Sequence, residues 1–278
     1  MIFNIAFLGP KGTFTYEATC KFVSTLGEDI DEICLKDFDT IVEVMDAIEC
    51  GDCIKGVVPL ENSLGGSINI TYDSLLHDYD LMISLEIIVD VNHNLLAPKG
   101  VKLEEIADVY SHSQALVQCH NYLDKMDFNI HPTFSTAHAA KNIKKFKNAS
   151  AIGTLKAAEL YGLDVLEKNI QDANNNQTRF IVLSKDDGDK TDRDKTSIAF
   201  SLCDDKPGGL YGILGIFAEF NINLTKIESW PSKKALGDYI FFIDFEGNRE
   251  DEDISKIINL IEANTSFFKI LGSYHLIE

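Results

Sequence analysis

Apolar and polar positions alternate along the first two thirds of the chain in a pattern typical of strands followed by helices. Residues 2–8 form an apolar run that predicts a buried strand, and after a glycine-bearing turn Phe14, Ala18 and Phe22 recur at helical spacing. The succession continues through residues 33–60, 109–119, 130–147 and 150–161 and ends in a strand at 180–184. Such alternation predicts an α/β fold with a mainly parallel sheet covered on both faces.

A long apolar run at residues 81–97 departs from this alternation because polar residues interrupt it at 90–94. Together with a late return of the chain through residues 165–180, this run predicts two lobes with a cleft. Ligands of open α/β sheets bind at the carboxyl ends of the strands, and two polar, glycine-bearing loops lie at such ends, at 9–13 and 61–67.

The pattern changes after a stretch at 185–195 that contains no apolar residue, which is typical of a solvated linker. Beyond it, predicted strands and helices follow in the order βαββαβ, the ferredoxin-like arrangement. We therefore predict a first domain over residues 1–185, a linker over 186–195 and a second domain over 196–278. The second domain contains no evident catalytic cluster, so ligand binding or dimerisation is expected of it.

Composition narrows the possible partners. The net charge of -19 argues against binding to nucleic acid or to an anionic membrane, and no apolar run reaches the length of a membrane span. The chain begins without the basic residues and cleavage site of a signal peptide, and its six cysteines are scattered. We expect a cytoplasmic protein with reduced thiols. A redox role for Cys50 and Cys53 is disfavoured because they follow a helical pattern, and a metal site lacks a second ligand pair.

Arg179 is one of only three arginines, and it enters an apolar strand. A guanidinium in such a place needs a partner, and its planar fork suits a carboxylate bound by two hydrogen bonds. Either the carboxylate of a ligand or that of a structural Asp or Glu would satisfy this requirement, so both interpretations stay open.

Five stretches, taken in order, resemble the prephenate dehydratase family: G-P-K-G-T-F-T at 9–15, P-L-E-N-S at 59–63, S-H-S-Q-A-L at 111–116, Q-C at 118–119 and N-Q-T-R-F at 176–180. The second domain resembles an ACT domain at 207–211, 222–225 and 228–233. The resemblance covers essentially the whole chain. It implies two lobes like those of periplasmic binding proteins around an active-site cleft, followed by a regulatory domain that binds L-phenylalanine. Ser113, Gly209 and Trp230 depart from the proline, alanine and arginine usual in the family, and the last departure bears on regulation.

The resemblance implies the loss of water and CO2 from prephenate to give phenylpyruvate in phenylalanine biosynthesis, with no cofactor because aromatisation drives the reaction. The implied catalytic residues are Thr178, Glu61, Asn62, Ser63, Ser111 and Gln118. The implied substrate-binding residues are Gly12, Thr13, Phe14, Arg179, Phe180 and His112.

Thr178 is expected to donate a hydrogen bond to the departing hydroxyl, while Glu61 and His112 remain candidates because they are stronger acids. Arg179 and the N–H groups after Gly12 are expected to hold the pyruvyl carboxylate. Phe14 or Phe180 would desolvate the ring carboxylate that leaves.

The expected effector site consists of Gly208, Gly209, Leu210, Asn223, Leu224, Glu228 and Ser229. It is expected between two such domains of a homodimer or homotetramer. Two alternatives stay open at this point. Arogenate dehydratase performs the same chemistry on the amino acid analogue of prephenate, and a non-enzymatic solute-binding module fused to an amino-acid sensor would need no Thr178. A turnover assay separates the three.

Overall fold

The structure is a computed structural model that describes residues 2–27, 32–203, 206–233 and 237–277. Packing divides the chain into two compact units. Unit 1 comprises Met1–Val44, Val57–Ile68 and Ile87–Phe180, and unit 2 comprises Met45–Gly56, Asn69–Glu86 and Ile181–Glu278. The predicted domain limits of 1–185, 186–195 and 196–278 stay a prediction.

Up to residue 184 the chain alternates between strands and helices, as predicted. The strands are β1 (Ile2–Leu8), β2 (Glu32–Phe38), β3 (Lys55–Asn62), β4 (Gly66–Ser67), β5 (Met82–Asp90), β6 (Asn94–Pro98), β7 (Asp108–His112), β8 (Asn129–Thr133), β9 (Ala149–Gly153), β10 (Leu163–Glu167) and β11 (Gln177–Ser184). The helices are α1 (Phe14–Thr25), α2 (Ile41–Glu49), α3 (Asn69–His77), α4 (Ser113–Gln118), α5 (His120–Leu123), α6 (Thr136–Asn142) and α7 (Leu155–Tyr161).

Several of these elements escaped prediction, among them α3 and β10. The buried side of α3 includes Thr71 and Ser74 beside Leu75 and Leu76, so its inward face carries hydroxyl groups and shows only weak apolar periodicity. Strand β10 is only partly buried, with exposed residues at two of its five positions.

Unit 1 contains strands of two sheets. In the first, the order is β2-β1-β3-β11-β5, with β4 paired to β3, and β1 and β2 are parallel. In the second, the order is β10-β6-β9-β7-β8. Here β7 runs parallel to β8 and β9, whereas β6 runs antiparallel to β9 and β10. The prediction of a mainly parallel sheet is therefore wrong for β6 and β10, the strands by which the chain enters and leaves this lobe.

Helices cover both faces of the second sheet. Leu95 packs in an apolar cluster with Leu116 of α4, and its neighbour Leu96 packs in another cluster with Ala140 of α6 and Ala157 of α7. Consecutive strand residues point to opposite faces, so adjacent leucines supply the two cores. Burial on both faces of the second sheet explains why the sequence is apolar at these consecutive positions.

The remaining elements confirm the predicted βαββαβ order. They are β12 (Asp194–Leu202), α8 (Gly209–Glu219), β13 (Leu224–Pro231), β14 (Tyr239–Glu246), α9 (Glu252–Ala263) and β15 (Thr265–Ile277). The strands lie in the antiparallel order β13-β14-β12-β15. Phe217 of α8 and Ile257 of α9 pack with Ile198, Phe200 and Phe245 of the sheet.

All six cysteines are free thiols. No helix among the described residues has the length and apolar character needed to cross a membrane. Nor does that part of the chain contain a group of three His, Cys, Asp or Glu side chains arranged to hold a metal ion.

Candidate active site and effector region

Two segments that connect the sheets of unit 1 lie side by side. The N–H of Val91 donates to the carbonyl of Asn176 at 2.8 Å, and the N–H of Ile170 donates to the carbonyl of His93 at 2.9 Å. The side chain of Gln171 strengthens the pairing, because its Oε1 accepts from the N–H of His93 at 2.9 Å. The two crossovers are thereby held in one register, which fixes Asn176 just before β11.

The side-chain amide of Asn62, at the end of β3, has a defined orientation. Its Oδ1 accepts hydrogen bonds from the N–H groups of Leu64 at 3.1 Å and Gly65 at 2.8 Å. The Nδ2 group must therefore face β11, where it lies 2.7 Å from Oδ1 of Asn176 and 2.9 Å from Oγ1 of Thr178. The structure thus brings two predicted catalytic residues, Asn62 and Thr178, into direct contact.

This orientation determines what the Thr178 hydroxyl can do. An amide N–H only donates, so the hydroxyl oxygen is the acceptor in the bond with Asn62. Thr178 is 8% exposed. Within the described part of the chain its hydroxyl donates to no acceptor, and its hydrogen remains available to a ligand.

The neighbours of Asn62 have different surroundings. Ser63 donates from Oγ to the carbonyl of Asn175 at 3.1 Å and accepts from the N–H of Gln177 at 3.0 Å, so it ties its loop to the start of β11. Glu61 is half-buried, and as the residue before Asn62 in β3 it starts from the opposite face of the strand.

The same alternation separates the residues that follow Thr178. Arg179 is half-buried and its Cβ lies on the face opposite to that of Thr178. Phe180 shares the face of Thr178 and is 2% exposed, so its ring belongs to the core beneath the threonine.

Gln118 and Phe14 both contact His93, which was not among the predicted site residues. Nε2 of His93 lies 2.8 Å from Oε1 of Gln118, and the ring of His93 makes an edge-on contact with that of Phe14, with centroids 5.6 Å apart. Burial lowers the pKa of His93, and the hydrogen bond with Gln118 offsets this only in part. The imidazole is therefore neutral near pH 7. Its only sequence signal is the polar interruption at 90–94 of an otherwise apolar run.

The turn before α1 is shaped for an anion. Gly12 has φ +94°, a conformation that favours glycine, and Thr13 caps the helix by accepting from the N–H of Tyr16 at 3.2 Å. The N–H groups of Phe14 and Thr15 have no backbone acceptor among the described residues. They lie at the positive end of the helix dipole, where carboxylates bind readily.

Ser111 and His112 are engaged in the local structure at the end of β7. The hydroxyl of Ser111 is fully buried and donates to the carbonyl of Ile152 at 2.8 Å. His112 is exposed, and its Nδ1 caps α4 by accepting from the N–H of Gln114 at 3.3 Å. His112 is thus the N-cap residue of α4.

Gly65 lies where the loop after β3 approaches α4. A methyl group at this position would be 3.3 Å from both Oδ1 of Asn62 and Nε2 of Gln114. Because such contacts are tight, glycine keeps the Asn62 amide and the start of α4 close together. Gln114, like His93, was not among the predicted site residues.

In unit 2, the predicted effector residues surround the start of α8 and of β13. Gly208 has φ +87°, and the N–H of Gly209 donates to the carbonyl of Lys206 at 3.1 Å. The amide nitrogen of Asn223 donates to Oε1 of Glu246 at 3.1 Å, so this side chain is anchored to the end of β14.

The other predicted effector residues divide between the core and the surface. Leu210 and Leu224 pack against the apolar core of the βαββαβ region. Glu228 forms an ion pair with Lys226 at 3.1 Å, whereas Ser229 is exposed on the alternate side of β13. Glu228 therefore already has a cationic partner.

Trp230 occupies the position at which a departure from the family pattern was noted. Its Nε1 donates to Oδ1 of Asp73 at 2.7 Å, and Nζ of Lys233 lies 2.8 Å from Oδ2 of the same carboxylate. Burial tends to raise the pKa of Asp73, but the hydrogen bonds from Lys233 and Trp230 and the lysine charge outweigh it and lower the pKa below its usual value. Two side chains thus share a carboxylate that one arginine could bind with two hydrogen bonds.

Comparison with known proteins gives these residues a context. Residues 5–188 match the family described as prephenate dehydratase, and residues 196–260 match the ACT domain. A prephenate dehydratase of Methanocaldococcus jannaschii is 42% identical over 97% of each chain. The arogenate dehydratase/prephenate dehydratase 2 of Arabidopsis thaliana is 39% identical over 98% of this chain and 72% of its own. The prephenate dehydratase of Arthrobacter aurescens, solved in complex with L-Phe, has a TM-score of 0.84 and 31% identity, covering 98% of this chain and 89% of that one.

Proposed function

The chain belongs to the prephenate dehydratase family, and from that premise we propose how its site converts prephenate into phenylpyruvate, water and CO2. The observation that carries the proposal is the hydroxyl of Thr178. It is buried, accepts a hydrogen bond from Asn62 and keeps its own hydrogen for a ligand.

The chemistry requires one group to stabilise a departing hydroxide. The bond between the ring and its carboxylate breaks, its electron pair enters the ring, and the C–O bond breaks as the ring becomes aromatic. The hydroxyl oxygen takes the C–O electron pair and becomes water after gaining a proton from solvent. A hydrogen bond from Thr178 to this oxygen strengthens as negative charge develops, which is the condition for lowering the barrier.

The two carboxylates of prephenate have opposite requirements. The pyruvyl carboxylate is retained, so we assign it to the free N–H groups of Phe14 and Thr15, with Arg179 as its cationic partner. The ring carboxylate leaves as neutral CO2, so tight binding would stabilise the ground state more than the transition state. We assign the aromatic ring of Phe14 to its apolar surroundings, because the ring of Phe180 is enclosed in the core beneath Thr178.

The βαββαβ region is assigned to regulation by L-phenylalanine, in a homodimer or homotetramer. Support comes from the ACT match and from the L-Phe complex of the Arthrobacter aurescens relative. The effector carboxylate is assigned to the start of α8 after Gly208. The amide nitrogen of Asn223 is occupied by Glu246, so its amide oxygen is assigned to the effector's ammonium group.

The free cysteines support a reducing cytoplasm as the location.

One turnover experiment tests the proposed function against its alternatives. The full-length protein is incubated separately with prephenate and with arogenate, and phenylpyruvate and phenylalanine are measured. We expect the higher kcat/KM with prephenate. A higher value with arogenate would assign the protein to the amino acid substrate, which the Arabidopsis relative makes a specific alternative. No turnover of either compound would favour a binding module.

A further inference from the structure

We propose that His93 is a positioning residue, which acts by holding the side-chain amide of Gln118 in the orientation that the substrate meets. This inference rests on the proposed function, because Gln118 matters to catalysis only if the site performs that reaction. His93 itself is assigned no contact with the substrate.

The placement of His93 leaves its ring little freedom. Its backbone is held on both sides, since its N–H donates to Gln171 and its carbonyl accepts from Ile170. The ring lies against Phe14, and the residue is 2% exposed. A side chain fixed in this way gives a rigid reference point from which Gln118 can be oriented.

Gln118 is tied to the same crossover by its backbone. Its carbonyl accepts from the N–H of Asp172 at 2.7 Å, while its side-chain Oε1 lies 2.8 Å from Nε2 of His93. The main chain and the side-chain amide of Gln118 are therefore both held by hydrogen bonds to the paired segments 91–93 and 170–172. Without the imidazole, the main chain would stay in place but the amide would be free to rotate.

The hydrogen-bond pattern selects one arrangement of protons. Nδ1 of His93 is buried and has no partner within the described residues. A buried N–H without an acceptor is rarer than a buried acceptor without a donor, so the hydrogen belongs on Nε2. Nε2 then donates to Oε1 of Gln118, which turns the NH2 group of that amide away from the imidazole and leaves it as a donor for the substrate.

Two substitutions distinguish the ring nitrogens. In His93→Gln the amide nitrogen lies near the original Nε2, whereas in His93→Asn it lies near Nδ1. We expect His93→Asn to lose about 10²-fold in kcat, the cost typical of a catalytic group displaced by ~1 Å, and His93→Gln to retain clearly more activity. Thermal denaturation should give similar Tm values for the two variants. Equal activities, or greater activity of His93→Asn, would overturn the proposal.

A double-mutant cycle tests whether His93 acts through its partner. The change His93→Asn should have little further effect on kcat in a Gln118→Ala background, because the group that it positions is then absent. Independent, multiplicative losses would mean that His93 works without Gln118, which contradicts the proposal.

A spectroscopic measurement separates failure of this inference from failure of the proposed function. Long-range ¹H–¹⁵N spectra of protein labelled at its seven histidines report which ring nitrogen of His93 carries hydrogen. We expect hydrogen on Nε2, and loss of that hydrogen bond's signature in Gln118→Ala, whether or not prephenate is turned over. Hydrogen on Nδ1 would refute the positioning geometry even in an active enzyme.

Discussion

The substitution Asn62→Asp tests the role of Thr178 without changing Thr178. In the parent protein Nδ2 of Asn62 donates to the threonine hydroxyl at 2.9 Å, which leaves the hydroxyl hydrogen for the substrate. A carboxylate oxygen in that place accepts instead of donating. The hydroxyl of Thr178 then turns to donate to the carboxylate, and its hydrogen is no longer available.

The expected loss follows from the bond that has to be broken. Releasing the hydroxyl from a charged acceptor costs about 1.5–3 kcal/mol, which corresponds to roughly 10–150-fold in kcat. Deleting the donor in Thr178→Ala removes the whole transition-state interaction, for which a loss on the order of 10²–10³-fold is typical. Asn62→Asp should therefore approach Thr178→Ala without exceeding it.

Initial rates of phenylpyruvate formation over a range of prephenate concentrations give kcat and KM for both variants and the double mutant. The losses should fall mainly in kcat and should not multiply in the double mutant, because both changes remove one interaction. Thr178→Ser is the matched control, since it keeps the hydroxyl. It should retain more activity than Thr178→Ala.

Protonation provides a second check within the same variant. The introduced carboxyl group is buried, so its pKa is raised, and once protonated it can again donate to Thr178. The kcat of Asn62→Asp relative to the parent should rise as the pH falls through that pKa. An Asn62→Asp enzyme with parental kcat at neutral pH would refute the assigned role of the threonine hydrogen.

Three further outcomes are expected. Arg179→Lys keeps the charge but loses the two-pronged fork, so KM should rise more than kcat falls; unchanged prephenate binding would make Arg179 structural. Gly65→Ala places a methyl group 3.3 Å from Oδ1 of Asn62 and should lower kcat about tenfold; parental kinetics would show that the loop yields. Trp230→Phe removes the N–H bonded to Asp73 and should lower the free energy of unfolding in urea by about 1.5–3 kcal/mol at pH 7. Because the pKa of Asp73 is lowered in the folded state, this contribution is present above the unfolded-state pKa and disappears as the pH falls through the folded-state value; a pH-independent difference would contradict it.

Asn62 and Thr178 were reached from the sequence through the resemblance of their motifs to the prephenate dehydratase family, and the structure puts them in contact. The resemblance does not distinguish them from Glu61 and Arg179. They belong to the same short motifs, yet strand alternation starts their side chains from the opposite faces. Adjacency in a motif therefore indicates a shared strand and does not indicate a shared face.

Other features depended on contacts that no local pattern records. His93 becomes interpretable only when Gln118, twenty-five positions later, is seen beside it. Helix α3 was missed because its inward face carries hydroxyl groups as well as leucines. In both cases the role of a polar residue depends on its burial in the tertiary structure. Apolar periodicity in the sequence does not predict which polar groups are buried.

The paired crossovers have a consequence for the order of events in a catalytic cycle. Residues 91–93 and 170–176 bear, directly or through one hydrogen bond, the groups that orient Gln118 and Asn62. The segments that connect the lobes thus also hold the reactive groups in alignment. Hydrogen bonds within the protein hold these groups, so their alignment does not depend on contacts with the substrate. Little of the binding energy of prephenate is then spent on assembling the site. The remainder is available for expelling water and for stabilising the leaving group.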